Sequence, residues 1–176
     1  MVQRLDSSFF YNDVLEVAPG LLGKKLVRKF PDNTVIKLTI TETEAYRGEE
    51  DLACHASRGI TERNKIMYSE GGYVYVYLIY GLYWMLNFVT GSKNNPQAVL
   101  IRGLEDFNGP GKLTRHLQIN KSFNGENIGA SERLWVESVN NKVDFTTGPR
   151  IGIDYAGEIW KNKPWRFVLK NIQDIH

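Results

Sequence analysis

The chain has 176 residues and a mass of 20.2 kDa, enough for one domain that buries about 70% of its unfolded surface. Apolar residues make up 42%, charged residues 24%, and mean hydropathy is −0.35, which excludes a disordered tail, a collagen-like fibre and an integral membrane protein. One cysteine, Cys54, and three histidines (His55, His116 and His176) exclude an internal disulfide and a cysteine-rich zinc cage, and a net charge of +2 permits a polyanionic partner without demanding one.

Residues Met1 to Phe10 carry Arg4 and Asp6 and lack the apolar stretch of a secretory signal. Asn12 is placed to cap a short helix from Asp13, with Val14, Leu15, Val17 and Leu21 as its apolar side. Pro19 and Gly20 are expected to interrupt or distort it. Leu26 to Phe30 reads as a strand, Pro31-Asp32-Asn33 as a turn, and Thr34 to Tyr46 as the return strand of a hairpin. Arg47 to Ser69 is polar and irregular and carries Arg58, Arg63 and Lys65. Gly72 to Ile79 is a second strong strand, broken at Tyr80-Gly81 and resumed from Trp84 to Val89. The uncharged run Gly71 to Ser92 that contains it alternates like a strand and is too broken by Gly81 and Asn87 to span a membrane. Gln97 to Leu104 is another strand, and Gly109-Pro110-Gly111 leads into a helix from Lys112 to Leu117. Leu134 to Val136, Arg150 to Ile153 and Trp165 to Leu169 read as short strands. No linker divides the chain, so the expectation is a single α+β domain over 1–176, with a curved, mainly antiparallel sheet, few helices and a protruding β-hairpin.

Three features could carry chemistry. On the strand Thr39 to Tyr46, period-two alternation puts Glu42, Glu44 and Tyr46 on one face. This is either a solvated acidic edge or an acid/base site in which one carboxylate is buried enough to titrate usefully. Next, Tyr73, Tyr75 and Tyr77 alternate with Val74, Val76 and Leu78, with Tyr80 near a hairpin tip. The phenols either pack across strands or form a stacking surface for bases. Last, basic residues cluster at Lys24, Lys25, Arg28 and Lys29, and again at Lys112, Arg115 and Lys121. The P-loop spacing and the Rossmann fingerprint are absent, and Cys54-His55 makes a poor nucleophile pair. A non-catalytic nucleic-acid binding module and a glycoside hydrolase using Glu42 and Glu44 remain open readings.

The strings Glu42-Thr43-Glu44-Ala45-Tyr46, Tyr75 to Gly81, Val99-Leu100-Ile101-Arg102, Gly109-Pro110-Gly111-Lys112-Leu113 and Ile119 to Phe123, in that order, resemble the alkyladenine (3-methyladenine or methylpurine) DNA glycosylase family. The resemblance runs from about Leu15 to Phe167. It implies an enzyme that flips alkylated or deaminated purines out of double-stranded DNA and hydrolyses the N-glycosidic bond, with lesions such as 3-methyladenine, 7-methylguanine, hypoxanthine and ethenoadenine. It further implies Glu44 as general base, Arg102 and the Ile151 carbonyl as holders of the water, and Tyr46, His55, Tyr77 and Asn87 as the base pocket. Tyr80 matches the residue that fills the gap in the duplex, and Arg58, Lys112 and Lys121 are expected on the DNA backbone. No metal or cofactor is implied, no lysine stands as an amine nucleophile, and the expected form is a monomer inside the cell, with the DNA. Glu42 receives no role.

Overall fold

The computed structural model describes residues 3–139 and 142–170. Among these described residues, ten strands and three α-helices make an α+β arrangement in which the strand pairs are antiparallel. After a two-residue strand β1 (Gln3–Arg4) comes helix α1 (Val14–Gly20). Its cap is Asp13 rather than Asn12, because the Asp13 carboxylate accepts the Leu15 N–H and so satisfies one of the open donors of the first turn. Pro19 lies inside the last turn, where the helix is already ending.

Strands β2 (Lys25–Lys29) and β3 (Val35–Arg47) form the expected hairpin, with Leu26 opposite Leu38. Its turn uses Asn33 at φ 67°, a left-handed position that asparagine tolerates. A second hairpin joins β4 (Val74–Ile79) to β5 (Tyr83–Val89). The chain continues through β6 (Gln97–Leu104), β7 (Phe107–Asn108), α2 (Pro110–His116), β8 (Leu134–Ser138), β9 (Phe145–Gly148), α3 (Gly157–Lys161) and β10 (Arg166–Leu169).

The sheet runs β1-β8-β2-β3-β6-β5-β4, with β10 on β3 and β9 on β10. Strand β3 is its spine. One edge pairs first with β2 and then with β10, and the other pairs with β6. The register with β6 slips at Glu42, which stands opposite Gly103, so that Thr41 and Arg102 fall outside the regular pairing. Such a bulge re-aims side chains. Gly103 permits the close approach: a Cβ there would lie 3.0 Å from both Glu42 Cβ and Thr41 Oγ1.

The main core fills one face of the sheet, where Val14, Val17 and Leu21 from around α1 and Leu113 and Leu117 from around α2 meet Val74, Val76, Leu86, Phe88, Val99 and Ile101. The alternate residues of the same strands point the other way. There Tyr75, Val89 and Ala98 pack with Cys54, Ala56 and Met67 of the irregular 48–69 segment. That segment has two single 3₁₀ turns, His55–Arg58 and Lys65–Tyr68.

Two expectations need correction. Arg150 to Ile153 is a bend, not a strand. Gly152 takes φ +75°, and the Ile151 N–H goes to a side-chain carboxylate instead of a neighbouring strand. The basic run Lys24 to Lys29 is not a free cationic surface either. Arg28 is buried, donating to the Leu117 carbonyl, and its guanidinium sits over Phe30 and Phe123.

Candidate functional site

A cavity of about 640 Å³ opens on the sheet face opposite the main core. It is lined by Tyr46 of β3, Tyr75 and Tyr77 of β4, Met85 and Asn87 of β5, Arg102 of β6, His55 of the irregular segment, and Ile151 and Tyr155. The size is that of an ordinary small-molecule site. Alternation in β3 holds through its bulge: Thr43 bonds the Ala18 carbonyl on one side, while Glu42, Glu44 and Tyr46 serve the other.

Glu44 has no exposed surface. Its Oε1 accepts the Ile151 N–H at 2.8 Å, and its Oε2 accepts the Tyr46 hydroxyl at 2.8 Å. The Arg102 Nε stands 3.6 Å from Oε1. Each carboxylate oxygen can accept more than one hydrogen, so capacity remains for a further donor such as water. Burial raises the proton affinity of Glu44 above the usual carboxylate range, against the pull of the Arg102 charge and the two hydrogen bonds. Burial and the Glu44 charge push the Tyr46 hydroxyl well up, so it stays a donor. The same guanidinium, Arg102, also lies beside Glu42, at 3.4 Å. The two glutamates therefore face one cation from one strand, not a sugar from opposite sides, which disfavours the carboxylate-pair glycosidase reading.

His55 is held by Tyr75, whose hydroxyl is 2.8 Å from Nδ1, and meets Tyr77 with ring centroids 4.4 Å apart at 63°. Burial, and then the charge of Arg63, lower its pKa to about 4, so the ring is neutral near physiological pH. Of the tyrosine ladder, Tyr75 and Tyr77 line the cavity, while Tyr73 packs against the smaller core cluster. Asn87 is buried, donating to the Tyr75 carbonyl at 3.2 Å.

Three residues, Tyr80 to Leu82, join the paired Ile79 and Tyr83; Tyr80 and Gly81 both take positive φ (51° and 65°), and the Leu82 N–H donates to the Ile79 carbonyl. Tyr80 is 87% exposed and reaches the cavity lining. A bulky residue held left-handed costs of order 1–3 kcal/mol.

The three expected backbone cations are exposed and lie on three separate elements. Arg58 ends the 3₁₀ turn that begins with His55, and Lys112 lies in α2, whose Pro110 reaches the cavity wall. Lys121 lies in a separate 3₁₀ turn outside that wall.

Sequence patterning misses the ion pair that holds the Ile151 bend. Arg150 binds Asp51 through both ends of its guanidinium, at 2.6 and 2.9 Å, with both side chains fully buried. It also donates to the Ala45 carbonyl and lies over the rings of Tyr46 and Trp165. Ile151 meets Glu44 through its N–H, a role distinct from the carbonyl contact that the resemblance implies.

A family model described as methylpurine-DNA glycosylase (MPG) matches residues 8–107 and 105–173. Curated relatives under the name "Putative 3-methyladenine DNA glycosylase" include one from Methanocella arvoryzae, 44% identical over 95% of this chain and 92% of the relative. Another from Borreliella burgdorferi is 46% identical over 95% and 96%, and one from Desulfitobacterium hafniense is 39% identical over 99% and 98%.

Asp51→Asn keeps the shape but leaves the Arg150 charge buried and uncompensated, and is expected to lower stability by about 3–5 kcal/mol in denaturant titrations. A loss below about 1 kcal/mol would mean that water reaches the pair. For Glu44 the sign is opposite. Below the ordinary glutamate value of ~4.3 it is neutral in folded and unfolded chains alike. As pH rises the unfolded chain ionises first, so stability falls between that value and the raised value of Glu44. Glu44→Gln is therefore expected to melt above the wild type at about pH 7, with the gap closing toward about pH 4 in thermal scans.

Proposed function

The chain belongs to the methylpurine-DNA glycosylase family, enzymes that hydrolyse N-glycosyl bonds in DNA repair, and we propose that it removes alkylated and deaminated purines from duplex DNA with a water activated by Glu44. The observation that carries this reading is the pairing of a buried, proton-seeking carboxylate with an aromatic cavity beside an exposed hairpin tyrosine.

A base inside a duplex is out of reach of such a carboxylate, so the damaged nucleotide must rotate out, at a cost of a few kcal/mol that is smallest for damaged or mispaired bases. In this reading Tyr46 stacks on one face of the base, and His55 and Tyr77 meet the other face and edge. An alkylated purine carries positive charge and is drawn to electron-rich rings. The neutral imidazole of His55 does not repel it. Asn87, at the pocket floor, disfavours the 2-amino group of normal guanine by occupying its space. Tyr80 enters the gap left in the duplex and holds it open. Arg58, Lys112 and Lys121 meet phosphates, acting within a monomer in the compartment that holds the DNA.

The chemical step follows from the placement of Glu44. A water held by Glu44, Arg102 and the Ile151 carbonyl loses a proton to Glu44 as its oxygen bonds to the sugar C1′. The C1′–N9 bond breaks, and its electrons neutralise the cationic purine as it leaves. 3-Methyladenine and 7-methylguanine need no acid for this. Hypoxanthine and ethenoadenine, being neutral, need a proton on the departing ring and leave more slowly. The remaining product is an abasic site.

Glu44→Gln is expected to slow single-turnover release of 3-methyladenine by about 10²–10⁴-fold while still binding lesion duplex. Release at the wild-type rate would refute the assignment of the base. Tyr80→Ala is expected to weaken binding to a lesion duplex by the ~1–3 kcal/mol of a lost stacking contact, with a smaller change on undamaged DNA. Equal losses on both duplexes in a fluorescence titration would show that Tyr80 only supports the hairpin.

A further inference from the structure

Glu42 is the acidic residue on the strand that the reaction leaves unused. It is 7% exposed and lies on the same face as Glu44. Its Oε1 takes the Arg166 Nε at 2.5 Å and stands 3.4 Å from the Arg102 Nε. That same Arg102 nitrogen is 3.6 Å from Glu44 Oε1. The four side chains therefore form one file, Arg166–Glu42–Arg102–Glu44, with the charges alternating. The backbone builds it: β10 sets Arg166 opposite Glu44 and Val168 opposite Glu42, and the β3–β6 bulge at Gly103 frees Arg102 from regular pairing.

We propose that Glu42 and Arg166 are positioning residues that set how strongly Arg102 pulls on the catalytic carboxylate. The proposal rests on the reading of Glu44 as the base. Other charged or titratable groups near Glu44 are accounted for. Tyr46 donates to it from β3, Tyr77 faces it from β4, and Arg150 lies behind the Tyr46 ring, committed to Asp51. Arg102 is the cation that directly meets it, and Glu42 competes for that cation from the other side. Glu44 and Glu42 are buried and Arg102 nearly so, so charges within this part of the file are weakly screened; Arg166, 30% exposed, is its partly solvated end. Take Glu42 away, and two arginines face Glu44 alone. Take Arg166 away, and Glu42 has only Arg102 to pair with, so it draws that guanidinium from the base.

The test is the pH dependence of single-turnover release of 7-methylguanine, whose fixed charge removes any need for an acid, so that the acid limb reports the base alone. Glu42→Gln is expected to move that limb down by about one pH unit and to lower the plateau, because a less basic carboxylate is a weaker base. Arg166→Gln is expected to move it up. The double variant, charge-balanced again, returns toward the wild type. Opposite shifts that cancel in the double variant support the proposal; should Glu42→Gln not fold, an upward shift in Arg166→Gln supports it and a fixed limb overturns it. A limb that stays in place while melting temperatures fall, or moves the same way in both single variants, overturns it and leaves Glu42 and Arg166 as supports of the sheet. Loss of the base assignment looks different: Glu44→Gln itself would then keep the wild-type rate and limb.

Discussion

A carboxylate stripped of water must be given back hydrogen bonds and a countercharge by the protein, and Glu44 takes them from three separate stretches of chain. The Tyr46 hydroxyl comes from the same strand, Arg102 from the neighbouring strand, and the Ile151 N–H from 107 residues away. The last is the hardest to arrange, because a backbone amide points wherever its chain goes. That chain is fixed by Arg150, which is tied to Asp51 and to the carbonyls of Ala45 and Trp160. A buried ion pair of this kind is a poor source of net stability but an exacting source of position. The bend must pass where Arg150 reaches Asp51, and Ile151 then lies against the carboxylate.

This dependence explains what the sequence discloses and what it hides. Period-two alternation is a local property, so the shared face of Glu42, Glu44 and Tyr46 and the hairpin ending in Tyr80-Gly81 can be read directly. The same alternation sends Val74 and Val76 into the main core and Tyr75 and Tyr77 into the cavity wall. The bend at Arg150 to Ile153 reads falsely as a strand, because its β-forming side chains are local while the reason for bending, Asp51, lies 99 residues away. Arg28 misleads in a similar way. Its charge suggests a surface, but the Leu117 carbonyl and two phenylalanine rings receive the guanidinium inside the fold. Nothing within the hexapeptide around any of these residues announces its partner.

The hairpin shows the opposite balance between stability and use. Asparagine would occupy the left-handed position of Tyr80 with less strain, and burying the tyrosine ring would yield hydrophobic stabilisation. The fold forgoes both and presents Tyr80 and, beside it, an exposed Leu82 to solvent. Just behind the turn of the same hairpin, where Tyr83 pairs with Ile79, Gly111 approaches so closely that a Cβ would lie 2.7 Å from the Tyr83 ring. The start of α2 is thus pressed against the hairpin close to its tip, which leaves the turn itself as the exposed projection.

The electrostatics of the cavity follow from how its charges are paired. Glu42, Glu44 and Asp51 are buried, and Arg102, Arg150 and Arg166 meet them one for one. Arg63, which lies over the Tyr77 ring, is exposed, where water and salt screen it. His55 adds no charge, because its burial keeps it neutral. A cationic guest therefore meets little net opposing field, and the faces of the rings act on it without a buried positive charge to overcome. A chain of net charge +2 can in this way hold several arginines around one aromatic cavity, since the buried acids that order those arginines also cancel them.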